Sequence, residues 1–262
     1  MDSCTRKFVS IAERPGSFGV NFHNQGYVYL GLNCVYIPLK IESGQLESFI
    51  DIIRDNFDGC SVSMPHKTHV MKYLNETDSS ARVGAVNTIL NLERRLKGYN
   101  TDYLGAKRAI EKALDIRDKR VVMAGAGGVA RAIGYAVRDL SGKLAVTNRT
   151  QVKAETLSSE LGCVSFGYDE LDNFSGTLFI NATSVGMENS GEQVIPIENI
   201  SRFDAVMDVV VGKTQLMMDS EAKGRIIIPG RVMTVYQAAE QFRIYTRQEL
   251  PREFLEKFLT EP

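Results

Sequence analysis

The chain has 262 residues, of which 44% are hydrophobic and 24% are charged. These values are typical of a globular protein and exclude fibrous and low-complexity classes. Lys and Arg total 31 against 32 for Asp and Glu, which gives a net charge of −1. A chain without a basic excess is not expected to bind nucleic acid or an anionic membrane surface. The length allows one large domain or two of moderate size.

No apolar run is long enough for a signal peptide or a membrane-spanning helix, so we expect a cytoplasmic protein. The cysteines are far apart, form no C-x-x-C motif and do not combine with the histidines at zinc spacing. We therefore predict free thiols, a reducing compartment and no metal site. The cysteines are Cys4, Cys34, Cys60 and Cys163.

Before about residue 102, short apolar runs alternate with amphipathic segments. Apolar residues at helical spacing predict a helix over Leu46–Asn56. Two β-rich runs around a charged turn predict a hairpin of residues 88–92 and 96–99. Further strands are predicted at residues 8–11, 34–39 and 61–64.

From about residue 105, predicted helices of about ten residues alternate with short apolar strands. This alternation is typical of right-handed βαβ units and a parallel sheet. The predicted strands are residues 120–124, 144–147, 177–181, 205–211 and 225–228. The predicted helices are residues 105–113, 128–138, 152–161, 234–246 and 252–259.

A glycine-rich turn follows the strand at residues 120–124 and precedes a helix. The turn fits the dinucleotide-binding pattern G-x-G-x-x-A, in which the small residues allow a tight turn, close approach of a pyrophosphate and close helix packing. The pyrophosphate would lie at the helix N-terminus. A simple glycine turn without a ligand is the alternative. The predicted cofactor residues of the turn are Gly125, Ala126, Gly127, Gly128, Val129 and Ala130.

The next predicted strand is followed by Asn148, Arg149 and Thr150, with Lys153 one helical turn later. An acidic residue here would accept from the ribose 2′-hydroxyl of NAD, and none is present. Arg149 and Lys153 instead suit a 2′-phosphate. The pattern favours NADP, although two solvated charges at a helix start are the alternative.

Polar side chains in the first half lie where predicted strands end. Ser61 and Ser63 would face the same side of an extended strand, and Lys67 follows them. Asn87 and Asp102 lie after later turns or strands. Such groups suit a small hydroxylated or carboxylated ligand, but each alone is also typical of turns and helix caps.

Seven segments together resemble the shikimate dehydrogenase family over nearly the whole chain. They are residues 61–67, 84–88, 100–105, 125–130, 148–150, 181–187 and 230–237. The resemblance implies an α/β protein of two domains with the active site in the cleft between them. Residues 1–102 with 232–262 would form the substrate-binding domain, and residues 103–231 a Rossmann-type NADP-binding domain.

The resemblance also implies residue roles. Lys67 and Asp102 match the catalytic pair, which would relay the proton of the substrate hydroxyl. The matches to substrate-binding residues are Ser17, Ser63, Asn87 and Gln237. Thr183 matches the loop beside the nicotinamide ribose, and Gly230 matches a close backbone approach to the nicotinamide ring.

The chain departs from the family pattern at substrate-side positions. Gly19 replaces a serine that holds the substrate carboxylate, Ser61 replaces an asparagine, and Val211 replaces a tyrosine. His66 replaces a phenylalanine, and we expect a partly exposed spacer there, with a second titrating group as the alternative.

We therefore predict an NADP-dependent shikimate dehydrogenase-like paralogue that acts on shikimate or a related ring hydroxy acid. Two alternatives remain open. The same fold could act on quinate or an amino-modified ring acid, or the chain could be a non-catalytic NADP-binding sensor. We expect a monomer or a homodimer.

Overall fold

The structure is a computed structural model that describes residues 4–189 and 191–260. The chain forms two compact units, residues 4–101 with 237–260 and, apart from residue 190, residues 102–236. Each unit has its own six-stranded sheet with helices. The predicted α/β class with two domains is confirmed.

The sheet of the first unit is mixed, in the order β2-β1-β3-β5-β6-β4. Parallel pairs join β1 to β2, β1 to β3 and β4 to β6, whereas β3–β5 and β5–β6 are antiparallel. The strands are β1 Arg6–Ala12, β2 Cys34–Lys40, β3 Gly59–Val62, β4 Glu76–Thr77, β5 Thr88–Leu92 and β6 Arg95–Tyr99. The predicted hairpin is confirmed as β5 and β6.

Two helices of the first unit show how the apolar pattern relates to burial. Helix α2 (Leu46–Asn56) has the predicted bounds, and its buried residues follow the apolar spacing. Helix α1 (Phe18–Tyr29) buries His23 and Gly26 beside Phe22 and Tyr27, so no clear apolar periodicity marks it. A Cβ on Gly26 would lie 2.6 Å from the Phe242 ring, so glycine allows this close packing.

The sheet of the second unit is entirely parallel, in the order β12-β11-β10-β7-β8-β9. The strands are β7 Arg120–Ala124, β8 Lys143–Thr147, β9 Val164–Ser165, β10 Gly176–Asn181, β11 Phe203–Asp208 and β12 Ile226–Pro229. The chain adds β8 and β9 on one side of β7 and then β10, β11 and β12 on the other side, which is the Rossmann strand order. The order in which strands are added therefore reverses between β7 and β10.

One helix precedes the first strand of the second unit, helices connect its parallel strands, and two helices follow the last strand. They are α3 Thr101–Ala113, α4 Gly128–Asp139, α5 Gln151–Leu161, α6 Ile197–Ile200, α7 Gln215–Ala222, α8 Gly230–Thr246 and α9 Arg252–Thr260. The division between the units falls within α8, and α9 belongs to the first unit. Helix α8 begins four residues before the predicted start.

Two predicted strand bounds are wrong. Strand β3 ends at Val62 rather than at residue 64, and the backbone then turns through Pro65. Strand β11 ends at Asp208 rather than at residue 211. The Asp208 carboxylate accepts a hydrogen bond from the backbone N–H of Val210 at 3.1 Å, which turns the chain out of the sheet.

Candidate active site

The glycine turn of the second unit connects β7 to α4 and requires glycine at its first position. Gly125 has φ +120°, and a Cβ there would lie 2.5 Å from the Ala182 carbonyl oxygen. Gly127 is the N-cap residue of α4, and a Cβ on it would meet no atom within 4 Å. The space above the start of α4 therefore stays open for an anion, while Ala130 is buried behind it.

A pocket of about 340 Å³ surrounds this turn. Residues that follow β7, β8, β9 and β10 line it, and none of its lining residues is acidic. They are Gly125, Ala126, Gly127, Asn148, Arg149, Thr150, Lys153, Tyr168, Ala182, Thr183, Ser184 and Val185. The pocket brings together most of the predicted cofactor residues. Gly128, Val129, Ala130 and Gly230 are not among its lining residues.

The end of the pocket that follows β8 carries two exposed cations, Arg149 and Lys153. An open helix N-terminus, two cations and no carboxylate fit the phosphates of NADP better than the ribose 2′-hydroxyl of NAD. Tyr168 and Ser184 also line the pocket. Tyr168 was not predicted because it lies in none of the matched segments, whereas Ser184 lies in the matched segment of residues 181–187 without having been given a role of its own.

Gly230, predicted to approach the nicotinamide ring, is buried at the start of α8. A Cβ there would lie 2.4 Å from the Val209 carbonyl oxygen. The close packing of Gly230 against the Val209 backbone is therefore sufficient to explain why this position is a glycine.

In the first unit, hydrogen bonds fix the side chain of Asn87. Its Oδ1 accepts from Thr101 N at 2.8 Å, Thr101 Oγ1 at 3.0 Å and Thr88 Oγ1 at 2.9 Å. Gln237 donates to the same Thr101 hydroxyl at 3.2 Å. Asn87 and Gln237, two of the predicted substrate residues, therefore belong to one hydrogen-bonded cluster. With its oxygen occupied, Asn87 has the Nδ2 group left to donate to a ligand.

Gln241 supports this cluster from α8, and sequence reasoning missed it because no motif contains it. Its Nε2 donates to the Asn87 carbonyl at 3.2 Å and to Thr88 Oγ1 at 2.9 Å. Its Oε1 accepts from Ser61 at 3.2 Å and lies 3.3 Å from His23 Nε2. Gln241 therefore connects three segments that are distant in sequence.

His23 is fully buried and stacks on Tyr36 with 4.4 Å between ring centroids. Burial lowers the pKa of His23 to about 4, and the hydrogen bond to Gln241 opposes this shift only in part. The imidazole is therefore neutral at physiological pH, with Nε2–H donating to Gln241.

The two serines after Cys60 do not share an environment. Ser61 is buried, and its hydroxyl is hydrogen-bonded to Gln241 and, at 2.8 Å, to Tyr245. Ser63 lies beyond the end of β3 and is exposed. The expectation that both face the same side of one strand is wrong because the strand ends between them. Ser63 keeps an accessible hydroxyl.

The segment after Pro65 places one buried and one half-buried basic side chain. His66 is 1% exposed, and its Nε2 donates to the Ile41 carbonyl at 2.8 Å. The expectation of a partly exposed spacer is wrong, and His66 anchors the segment instead. Lys67 is half-buried, and its carbonyl accepts from Val86 N at 2.8 Å. Asp102 is half-buried in the first turn of α3, in the second unit.

The start of α1 contains the first departure from the family pattern. Ser17, the N-cap residue, is exposed and makes no capping hydrogen bond through its side chain. A Cβ on Gly19 would lie 3.5 Å from the Tyr36 hydroxyl, an ordinary contact distance. Position 19 therefore has room for a small side chain. In the second unit, Val211 is exposed.

Within residues 4–189 and 191–260, no group of three or more His, Cys, Asp or Glu side chains could hold a metal ion. None of the helices in the same part of the chain is long and apolar enough to cross a membrane.

A Rossmann sheet with an open glycine turn and an α/β unit with clustered polar side chains define a dinucleotide-binding protein of two units. The family model for the shikimate dehydrogenase substrate binding domain matches residues 16–89. A shikimate dehydrogenase (NADP(+)) of Pyrococcus abyssi is 39% identical over 92% of each chain. The chain belongs to the shikimate dehydrogenase family, as the sequence predicts.

Solved structures of shikimate dehydrogenases and a related protein have the same fold as this chain. A shikimate 5-dehydrogenase-like protein superposes with a TM-score of 0.92 at 31% identity, over 98% of this chain and 97% of the other. A shikimate 5-dehydrogenase of Thermus thermophilus, solved in complex with NADP(H) and shikimate, gives a TM-score of 0.87 at 27% identity. That match covers 97% of this chain and 98% of the other.

Proposed function

We propose that the protein is an NADP-dependent oxidoreductase that interconverts 3-dehydroshikimate and shikimate, or a closely related ring hydroxy acid. The pocket around Gly125 carries this proposal, because it joins an open helix N-terminus to two cations and has no acidic lining residue. Curated relatives over most of the chain are NADP(+)-dependent shikimate dehydrogenases, which supports both the cofactor and the substrate class.

Bound NADP would accept or supply the hydride of the reaction. The residues of the cofactor pocket would bind and orient the NADP. The N-terminus of α4 would hold the pyrophosphate between Gly125 and Gly127, and Arg149 and Lys153 would bind the 2′-phosphate. Asn148, Thr150 and Thr183 would complete the cofactor contacts from the two sides of the turn.

Oxidation of a secondary alcohol also requires a group that removes the hydroxyl proton. We propose Lys67 and Asp102 for this proton relay. In the oxidation direction the hydroxyl proton would pass to the Lys67 amine or to the Asp102 carboxylate, and in the reverse direction the protonated group would return it to the carbonyl oxygen.

The first unit would bind the ring acid. Asn87 Nδ2 would donate to a ring hydroxyl, because the hydrogen bonds to Asn87 Oδ1 hold the amide in one orientation. Gln237 would bind the substrate beside Asn87, and the exposed hydroxyls of Ser17 and Ser63 would donate hydrogen bonds to the substrate. Residues 1–102 with 232–262 are thus the proposed substrate-binding domain, and residues 103–231 the proposed NADP-binding domain.

The loss of hydroxyl groups at two positions favours an alternative substrate. Gly19 supplies no hydroxyl where the family has a serine, and Val211 supplies none where the family has a tyrosine. A lost hydrogen bond costs about 0.5–1.5 kcal/mol, and more when the ligand group is charged. Quinate or an amino-modified ring acid is therefore the alternative substrate on the same fold.

The test is NADP reduction by the purified protein with shikimate, quinate and amino-modified ring acids. We expect turnover with shikimate that Lys67→Ala abolishes. Preference for quinate or an amino-modified acid would favour the second candidate. Tight NADPH binding without turnover of any ring acid would contradict the enzymatic proposal and support a sensor.

A further inference from the structure

Asp208 is a buried carboxylate at the end of β11, and it is not among the residues that line the cofactor pocket. Its Oδ1 accepts from Asn181 Nδ2 at 3.0 Å and from Val210 N at 3.1 Å, and its Oδ2 accepts from Thr214 Oγ1 at 2.7 Å. All three donors are uncharged. Burial raises the pKa of Asp208, and these hydrogen bonds oppose the shift. Burial of a carboxylate is energetically unfavourable, and the proposed chemistry gives Asp208 no role.

The contact with Asn181 helps to hold that amide in one orientation. A carboxylate only accepts hydrogen bonds, so Asn181 turns its Nδ2 group toward Asp208 and its Oδ1 away. The Thr183 N–H and the Val185 carbonyl favour the same orientation from the other sides of the amide. Protonation would not reverse it, because a proton on Oδ2 can be donated to Thr214 and leaves Oδ1 as an acceptor. Asp208 therefore supports this orientation in either protonation state.

The opposite side of Asn181 holds the loop after β10. Asn181 Oδ1 accepts from Thr183 Oγ1 at 2.7 Å and from Thr183 N at 3.1 Å. Thr183 Oγ1 in turn accepts from Val185 N at 3.1 Å, and Asn181 Nδ2 also donates to the Val185 carbonyl at 3.2 Å. Thr183 and Val185 both line the cofactor pocket. A chain of hydrogen bonds thus leads from Asp208 to the pocket wall.

This wall lies on one side of the glycine turn, and the two cations lie on the other. Strand β7 stands between β10 and β8 in the sheet. Because Arg149 and Lys153 follow β8, the adenosine 2′-phosphate belongs to that side. The loop that follows β10 therefore faces the nicotinamide half of a dinucleotide placed across the turn.

We propose that Asp208 is a positioning residue that orients Asn181 and thereby holds the Thr183–Val185 loop for the nicotinamide half of the cofactor. The inference rests on the proposed NADP site. Asp208 itself touches neither cofactor nor substrate. Its effect on binding should be confined to ligands that extend past the pyrophosphate.

Two ligands separate this role from a general structural one. Equilibrium dissociation constants are measured for NADPH, by its fluorescence, and for adenosine 2′,5′-bisphosphate, by competition or calorimetry. Asp208→Ala removes one of the two acceptors of Asn181 Nδ2 and loosens the amide that holds the loop, so we expect the NADPH constant to rise about tenfold or more. The constant for adenosine 2′,5′-bisphosphate should change by less than about twofold.

Three other variants complete the test. Asp208→Asn can still accept from Asn181 through Oδ1 and donate to Thr214, so its NADPH affinity should stay within about threefold of wild type. Asp204→Ala, an exposed change on the same strand, is the matched control. Thr183→Val removes the next hydrogen bonds in the chain without touching the buried carboxylate, and it should reproduce the selective loss.

The outcomes are distinct. An equal loss for both ligands in Asp208→Ala and Thr183→Val, or unchanged NADPH binding in Asp208→Ala, would overturn the positioning role while leaving the NADP site intact. Wild-type protein that binds adenosine 2′,5′-bisphosphate but not NADPH would also overturn it. Wild-type protein that binds neither ligand would overturn the proposed cofactor as well.

Discussion

In the second unit the candidate cofactor pocket is shaped by backbone, whereas in the first unit side chains hold the candidate substrate residues. Gly125 and Gly127 act through the Cβ atoms they lack, and Ala130 is buried behind them. Asn87 is held by hydroxyls and by Gln241, which lies 154 positions away in sequence. Six consecutive residues can encode the first arrangement, whereas the second exists only in the folded chain. The two units should therefore respond differently to substitution.

The largest effect is expected at Lys67, the residue of the proposed relay that belongs to the first unit. Lys67→Ala removes the group proposed to exchange the substrate proton, so kcat with shikimate should fall about 10²- to 10⁴-fold. NADPH affinity should not change, because Lys67 belongs to the other unit. Steady-state kinetics and NADPH fluorescence measure the two quantities.

Lys72→Ala, an exposed lysine of the same segment, is the control and should leave kcat unchanged. A kcat for Lys67→Ala within a few-fold of wild type would contradict the proposed relay.

The backbone character of the pocket is tested by two glycine substitutions. Gly125→Ala forces a side chain into φ +120° and against the Ala182 carbonyl, so the free energy of unfolding should fall by about 3 kcal/mol. Gly127→Ala meets no atom, and alanine at this N-cap position should lower it by less than about 1 kcal/mol. Its Cβ would instead obstruct the pyrophosphate and weaken NADPH binding.

Denaturant unfolding and NADPH titration separate the two positions. Equal stability losses would show that the glycines do not differ in the way the geometry requires.

The side-chain network of the first unit should respond to pH through His23. Its pKa is about 4 in the folded protein and 6.5 in an unconstrained chain. The unfolded state therefore binds more protons between these values, so the free energy of unfolding falls as pH falls from 6.5 to 4. The contribution of this group across the window is about 3 kcal/mol.

The comparison is wild type against His23→Phe, each unfolded by denaturant at several pH values. The variant should lose less stability on acidification, whereas His69→Gln, at an exposed histidine, should behave as wild type. Parallel pH profiles for wild type and His23→Phe would exclude His23 as the titrating group.

The smallest effects are expected at the exposed cations of the cofactor pocket. Arg149→Ala or Lys153→Ala should each raise the KM for NADP about 10- to 100-fold, since each loses a charge-assisted contact to the 2′-phosphate. The KM for NAD should be nearly unchanged. Lys143→Ala, at the opposite end of β8, is the control. A parallel rise for NADP and NAD would place these cations elsewhere than on the 2′-phosphate.

The same contrast explains what could be predicted from sequence. The alternation of strands and helices gave the parallel sheet, and the glycine turn identified the pocket, because both depend on neighbouring residues. Helix α1 was not predictable from apolar spacing because its buried face includes His23 and Gly26. The roles of Ser61, His66 and Gln241 were not predictable because their partners are distant in sequence.

The assignment of NADP and a ring hydroxy acid is tested most directly by initial rates of the wild-type protein with shikimate and either NADP or NAD. We predict turnover of shikimate, with kcat/KM for NADP at least about tenfold above that for NAD, because only NADP engages Arg149 and Lys153 through a phosphate. Equal use of both cofactors, preference for NAD, or no turnover of shikimate with either would contradict the assignment.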